Sequence, residues 1–314
     1  MRHGTEAAGS VRGSRHAAKG VRKGWIRPAL TIFFGAVFLF SLGMIIHTQL
    51  QYRASQKFYA ETADQFTAPA PQAAGASGSS SGSQTSSGGS AGQGTGQQTS
   101  PEDVLAANAA PIVVNFEALQ AINSDVIGWI YCEGTPINYP ILQGYDNNDY
   151  LHRGYDGSYN GSGSIFVEAS NRRDFEDANT ILYGHHMKDG SMFASLENWQ
   201  DPAFAAAHPV MWILTPAQDY KVVLVSAYYT EATSGVYSVF PDPGEPLNIY
   251  MENVLSYSDF TPAEVPETDK YVLLSTCAYV FTNARYVVHG AMIPADSAGG
   301  VPIAPSGADA GAQN

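Results

Sequence analysis

Residues 112–296 predict a mainly β domain, a closed eight-stranded barrel with a few short helices, set behind a single transmembrane helix and a disordered linker. Three observations carry this expectation. Eight short runs rich in Val, Ile, Leu, Tyr and Thr recur between residues 126 and 293, and only two or three helical patterns interrupt them, which suits a closed barrel. Upstream, residues 28–46 read PALTIFFGAVFLFSLGMII without a charge. Between the two, residues 67–110 are rich in Ser, Gly, Gln, Ala and Pro and hold no apolar cluster able to form a core.

In chain order, the arm at residues 1–27 is basic and lacks apolar periodicity, the composition of a disordered cytoplasmic segment. It carries seven of the 16 Lys and Arg against one acid, Glu6, so nine basic and 28 acidic residues remain in the rest of a chain of net charge −13. An acidic body repels phosphate backbones, which excludes nucleic acid as a partner. The uncharged run, at 1.5 Å per residue, is long enough to cross a hydrocarbon core of about 30 Å. It exceeds the apolar region of a cleaved signal peptide and no small-x-small cleavage site follows it, so a retained anchor is expected over residues 28–50. Basic residues are dense before it, with only Arg53 and Lys57 close after it. That asymmetry puts the N-terminus in the cytoplasm and the rest of the chain outside. Residues 51–111 then read as a juxtamembrane segment and flexible linker, whose coil over residues 67–110 would span roughly 35–40 Å.

The folded body is expected to begin near Ile112. Phe116, Leu119 and Ile122 behind Asn115, a good N-cap, predict a short helix. Strands are expected at 126–131, 137–142, 163–167, 180–183, 210–214, 220–229, 271–276 and 285–293. A helix over 191–198 would present Met192, Phe193 and Leu196 on one face, and Asp201 followed by Pro202 opens another helical turn. A longer helix over 246–257 carries Leu247, Tyr250, Met251, Val254 and Leu255 as a full apolar stripe. Residues 297–314 are rich in Gly, Ala, Pro and Ser and read as a disordered tail. Of the two cysteines, Cys132 follows GWIY where the alternation calls for a core residue, so it reads as a buried free thiol.

The chemistry concentrates in YVLLSTCAYVFTNARYVVHGAMI, residues 271–293. Cys277 ends one strand and Arg285 opens the next, so closing the loop 278–284 brings a thiol and a guanidinium to one rim of a sheet. A neighbouring cation favours the reactive thiolate, and a fixed cation suits a negatively charged tetrahedral intermediate. Another apolar strand, 180–183, stops at Gly184 and delivers His185 just past its end. Taken singly, a His, a Cys or an Arg is usually a packing or surface residue. The adjacent pair His185–His186 makes a poor chelate, and no Cys-x-x-Cys, His-x-x-x-His or carboxylate-rich loop accompanies it, so no metal site is expected.

Three blocks set these residues in a pattern: YGHHMKDGSMF at 183–193, LSTC at 274–277 followed eight residues later by Arg285, and YPILQGYDNNDYLHRGYDGSYNGSGSIFVE at 139–168. Together they resemble the class B sortases, membrane-anchored cysteine transpeptidases of Gram-positive bacteria. Leu273 departs from the Thr common there, while Thr276 and Cys277 are kept. The resemblance implies a sortase-type barrel with a long helix between the sixth and seventh strands. It implies Cys277 as nucleophile, His185 as general acid and base, and Arg285 as oxyanion partner. The reaction implied is cleavage of a C-terminal sorting signal after Thr in secreted proteins, through a thioacyl intermediate, with transfer to an amine of a peptidoglycan precursor and no metal or organic cofactor.

By the same resemblance Asn147, Leu151, Tyr237, Ser275 and Thr276 look like substrate-groove residues, although Leu151 also reads as core, Asn147 as a turn residue and Tyr237 as packing. A pilin-polymerising sortase and a non-catalytic, stalked surface binding domain are the alternative readings. A papain-like protease is disfavoured because there the Cys precedes the His.

Overall fold

A computed structural model describes residues 26–71 and 100–297. The expected basic arm and C-terminal tail therefore lie outside the described residues, save for residues 26–27 and 297. A helix, α1 (Ile26–Phe66), opens the described chain. The chain divides into one unit ending at Leu50 and a second beginning at Gln51. In the first, Ile32, Phe33, Phe38 and Phe40 are exposed, and the helix is long and apolar enough to cross a membrane.

The second unit is built around a closed eight-stranded barrel. Its strands are β3 (Val126–Tyr131), β4 (Asn138–Leu142), β5 (Ile165–Val167), β6 (Asn179–Tyr183), β7 (Val210–Leu214), β8 (Tyr220–Glu231), β9 (Tyr271–Cys277) and β10 (Ala284–Pro294). Around the barrel the order is β10-β8-β7-β3-β4-β5-β6-β9. The pairs β4/β5 and β6/β9 are parallel, and the remaining neighbours are antiparallel. All eight expected strands are present, with ends that move by two residues at most. Strands buried on both faces dominate, as closure requires: β7 and all but the ends of β9 are wholly buried. Ile130, Ile141, Leu182, Ile213, Leu274 and Val288 meet in the main core.

Short helices plug and cover the barrel. Asn115 caps α3 (Phe116–Ile122) by accepting from the Ala118 amide at 3.0 Å. Asp201 caps α4 (Pro202–Ala207), with Pro202 in the first turn. The long helix α5 (Glu245–Ser256) lies between β8 and β9 and buries Leu247, Met251 and Val254. The helix expected over 191–198 is displaced: a 3-10 helix occupies Ala194–Gln200 instead. Met192 adopts φ 57°, a left-handed conformation that no helix continues through, and the Phe193 amide turns back to the His185 carbonyl at 3.0 Å. The spacing of Met192, Phe193 and Leu196 is helical, yet Met192 and Phe193 are buried in the turn that closes the loop and Leu196 in the 3-10 helix that follows.

The start of the body also differs from expectation. Ser55, Tyr59, Thr62, Ala63 and Phe66 form one buried stripe on the last four turns of α1. The Tyr59 hydroxyl donates to the Gly163 carbonyl and lies 3.1 Å from Ser164 Oγ, and Ser55 Oγ donates to Asn160 Oδ1 at 3.0 Å. Phe66 meets Tyr155 edge-to-face. Next, β1 (Thr67–Pro69) pairs with β2 (Ile112–Val114), and the Ala70 amide donates to the Pro111 carbonyl. A short helix, α2 (Pro101–Ala106), capped by Ser100, precedes β2. Residues 72–99, which hold most of the expected linker, lie outside the described residues, and their flanks β1 and α2 both fall in the second unit.

Two expectations follow. Phe66 is 2% exposed, so Phe66→Ala, in a protein beginning at Gln51, should lower the unfolding free energy by about 3 kcal/mol. An unchanged urea midpoint would mean that α1 adds nothing to the fold. His289 on β10 is fully buried, and burial holds its pKa down at about 3. Below the unfolded-state value near 6.5 the unfolded chain takes a proton that the folded chain refuses. Stability should therefore fall as pH drops from 6.5 toward 3, by about 2 kcal/mol between pH 6.5 and 5. Denaturation of His289→Gln at both pH values should show a shallower slope, and equal slopes would refute the assignment.

Candidate active site

The parallel pairing of β6 with β9 runs Thr180 opposite Val272 through to Tyr183 opposite Ser275. Two residues further along each chain stand His185 and Cys277, so the same register that packs the core levels these two side chains. The Gly184 amide donates to the Ser275 carbonyl at 3.1 Å, and Thr276 Oγ1 donates back to the Gly184 carbonyl at 2.9 Å. On the other side, antiparallel pairing sets Arg285 directly opposite Cys277. The loop between them closes with the Ala278 amide on the Ala284 carbonyl at 2.9 Å. Three chemically distinct groups from three strands therefore share one rim, each half-buried.

They line a single cleft of about 340 Å³ together with Asn147, Leu151, Phe166, Tyr183, Gly184, Ala232, Tyr237, Ser275 and Thr276. Every residue that the sequence nominated is in this lining. Four wall residues were not nominated: Phe166, Tyr183, Gly184 and Ala232. Phe166, Tyr183 and Gly184 lie inside the family-like blocks at 139–168 and 183–193, and a strand-end tyrosine before Gly-His was the available signal.

His185 Nε2 lies 2.8 Å from the Leu151 carbonyl oxygen. A carbonyl only accepts, so Nε2 carries the proton and Nδ1 is left for chemistry. The ring is thus oriented by a backbone carbonyl, in the place where an Asp or Asn side chain could have served. The His152 ring stacks on it at 5.6 Å between centroids, 17° from parallel. Leu151 is a wall residue by its side chain and an anchor by its backbone. Gly184, immediately before His185, has no room for a side chain, since a Cβ there would come within 2.6 Å of Ile165 and Phe193.

Asn147 does not offer a free amide. Its Nδ2 donates to Glu168 Oε2 at 2.7 Å and its Oδ1 accepts from the Ala169 amide at 2.8 Å. The Tyr183 hydroxyl donates to the same Glu168 oxygen at 2.9 Å. Burial alone would raise the Glu168 carboxyl, but hydrogen bonds from Asn147, Tyr183 and Ser170 outweigh it and hold it below the usual carboxylate range. Burial pushes the Tyr183 and Tyr237 phenols up, so both stay neutral. Tyr237 stacks on Tyr183 and shares a 2.9 Å hydrogen bond with Ser275. Arg285 donates from Nη1 to the Ala284 carbonyl at 3.0 Å, and among the described residues it forms no ion pair. Cys132 is 1% exposed, unbridged, and pushed up to about 12 by burial. It is an inert core thiol, which leaves Cys277 as the accessible one.

A family model described as Sortase domain matches residues 130–293. The chain belongs to the sortases. Sortase B of Listeria monocytogenes is 36% identical over 202 residues, covering 60% of this chain and 81% of the relative. The Staphylococcus aureus sortase B–substrate complex superposes with a TM-score of 0.53 at 32% identity, covering 57% of this chain and 84% of that one. A sortase B complexed with triglycine gives 0.52 at 34% identity, covering 57% and 85%. This sortase is accordingly of class B, and sortases are cysteine transpeptidases.

Gly163, at φ 57°, has no space for a side chain: a Cβ would run into the Leu151 carbonyl that holds His185. Gly163→Ala should therefore tilt the imidazole and lower kcat/KM by roughly a hundredfold, the scale of an ångström-sized misplacement. Steady-state assays with circular dichroism as a check on folding decide it, and a folded variant of normal activity would break the link from Gly163 to His185.

Proposed function

We propose that this sortase, held in the cell membrane by a single span within α1, joins secreted proteins to a peptidoglycan precursor outside the cell. The excess of Lys and Arg before residue 28 supports a cytoplasmic N-terminus and an extracellular catalytic body. The observation that carries the reading is the cleft in which a thiol, an imidazole and an otherwise unpaired guanidinium converge.

In the first half-reaction the Cys277 thiolate attacks the carbonyl carbon of a Thr in the C-terminal sorting signal. Charge developing on the carbonyl oxygen is met by Arg285, fixed across the ladder from the sulfur. The C–N bond then breaks, and the His185 imidazolium gives its Nδ1 proton to the departing amine. What remains is a thioester between Cys277 and the Thr carbonyl. In the second half-reaction an amine of the precursor attacks that thioester, His185 takes the amine proton, and Cys277 leaves as thiolate. The acyl chain occupies the groove walled by Asn147, Leu151, Tyr183, Tyr237 and Ser275. Asn147 acts there through its hold on Glu168, and Tyr237 and Ser275 through the hydroxyl pair that they share. The substrate and triglycine complexes of the related sortase B proteins support a peptide donor and an amine acceptor of this class.

The full chain in detergent, incubated with a panel of sorting-signal peptides and triglycine, should show by mass spectrometry a thioester adduct on Cys277. It should be absent in Cys277→Ala, still form in a Cys132→Ala protein, and resolve faster with amine than with water. A folded enzyme that forms no adduct with any peptide, and whose Cys277 resists thiol reagents, would leave a binding domain in place of a catalyst.

A further inference from the structure

The Leu151 carbonyl fixes one edge of the His185 ring. A single hydrogen bond to Nε2 sets where that edge lies, but the ring can still swing about the N–H···O axis, and each swing changes where Nδ1 points. The next residue in the chain meets the ring's face. His152 stacks on His185 at 5.6 Å between centroids and 17° from parallel, the spacing of an offset aromatic pair. His152 is exposed and is not among the residues that line the cleft, so its ring reaches His185 from outside the groove.

The backbone that carries this ring is held on both sides of Leu151. The Tyr150 carbonyl accepts from the Ser164 amide at 3.0 Å and the His152 carbonyl from the Asn160 amide at 3.0 Å. The Arg153 carbonyl accepts from Ser164 Oγ at 2.8 Å. Among these carbonyls that of Leu151 is the one turned to His185. Residues 151 and 152 therefore form one ledge, whose carbonyl holds an edge of the imidazole and whose ring holds its face. A side chain on so fixed a backbone loses little further freedom when it stacks.

Chemistry gives the second hold its use. His185 hands a proton to the departing amine and takes one from the incoming amine, both at Nδ1, so both half-reactions need the ring in one plane. Stacking sets that plane without occupying Nδ1, and an aromatic face accepts the imidazolium as well as the imidazole. A second hydrogen bond, to Nδ1, would have fixed the ring and blocked the proton transfer.

We propose that His152 is a positioning residue for proton transfer: stacked on His185, it holds the imidazole plane so that Nδ1 meets first the nitrogen that leaves and then the nitrogen that arrives. The proposal rests on the role assigned above to His185, and it gives His152 no contact with the sorting signal.

The test uses the full chain in detergent, with circular dichroism as a check on folding, and a peptide that acylates Cys277 in the assay above. In His152→Ala the rate of adduct appearance at saturating peptide should fall about five- to tenfold, the size of one aromatic pair, with the half-saturating concentration unchanged. His152→Phe keeps the face without the ring nitrogens and should restore the rate to within about twofold. The same peptide carrying a thiophenyl thioester at its Thr carbonyl has a leaving group that needs no proton, so on it His152→Ala should lose less than about twofold. An equal loss on amide and thioester would make His152 part of the groove's packing, and a Phe variant as slow as the Ala variant would mean that the His152 nitrogens take part. Either result overturns the proposal, as does an unchanged rate in His152→Ala. The His152 ring is exposed, so its removal opens no cavity in the core. No adduct in the unmodified enzyme would overturn the catalytic reading, and this role with it.

Discussion

The structure depends on the register of β9 between its two neighbours. β9 pairs in parallel with β6 and antiparallel with β10, and it carries the thiol at its last position. A slip of one residue against β6 would turn every β9 side chain to the opposite face and tear Leu274 and Leu273 out of the clusters that each packs into. Both are fully buried, Leu274 with the main core and Leu273 with the cluster under α5. Burial on two faces thus fixes the level of His185 relative to Cys277, with no bond between the two needed to set it. On the other side a bulge between His289 and Gly290 lets β10 follow the barrel, and a Cβ at Gly290 would strike Val222. Packing that serves the core also sets the reactive geometry.

A second constraint reaches the site from far away in sequence. Tyr59 and Ser55 on α1 brace the segment around Asn160, Gly163 and Ser164, and Ser164 Oγ holds the Arg153 carbonyl at 2.8 Å. That segment presents the Leu151 carbonyl to His185. The helix that leads out of the apolar unit is in this way the outer support of the His185 imidazole. A backbone acceptor suits the position because it fixes tautomer and tilt without placing a carboxylate beside the thiolate.

Which parts were legible follows from how local their causes are. Strands, the β9–β10 hairpin and the His, Cys and Arg at strand ends announce themselves through alternation and residue chemistry within a few positions. The body's portion of α1 was not legible, because Ser55, Tyr59, Thr62, Ala63 and Phe66 make a stripe of mostly small or polar residues, and its partners Asn160, Gly163 and Ser164 are far along the chain. The pairing of β1 with β2 was not legible either, because composition cannot reveal that the two flanks of the Ser/Gly-rich stretch pair with each other. Met192, Phe193 and Leu196 had helical spacing, yet the left-handed turn at Met192 overrode it. Asn147 lines the cleft, but its commitment to Glu168 depends on a carboxylate 21 residues onward.

Electrostatics explain why an acidic body can house this site. Arg172 pairs with Asp177, Arg173 with Asp125 and Lys270 with Glu176, whereas among the described residues Arg285 donates to a backbone carbonyl and forms no ion pair. Glu168, the acid behind the Asn147 and Tyr183 walls of the cleft, spends its oxygens on Asn147, Tyr183 and Ser170. In the proposed reaction, a carboxylate paired with Arg285 would leave the guanidinium already neutralised when the oxyanion forms. Under that proposal, sequestering the carboxylate among neutral donors leaves the cation to the charge that appears on the substrate. The polar wall of the groove is therefore a second part of the site's electrostatics, acting by where it directs a negative charge.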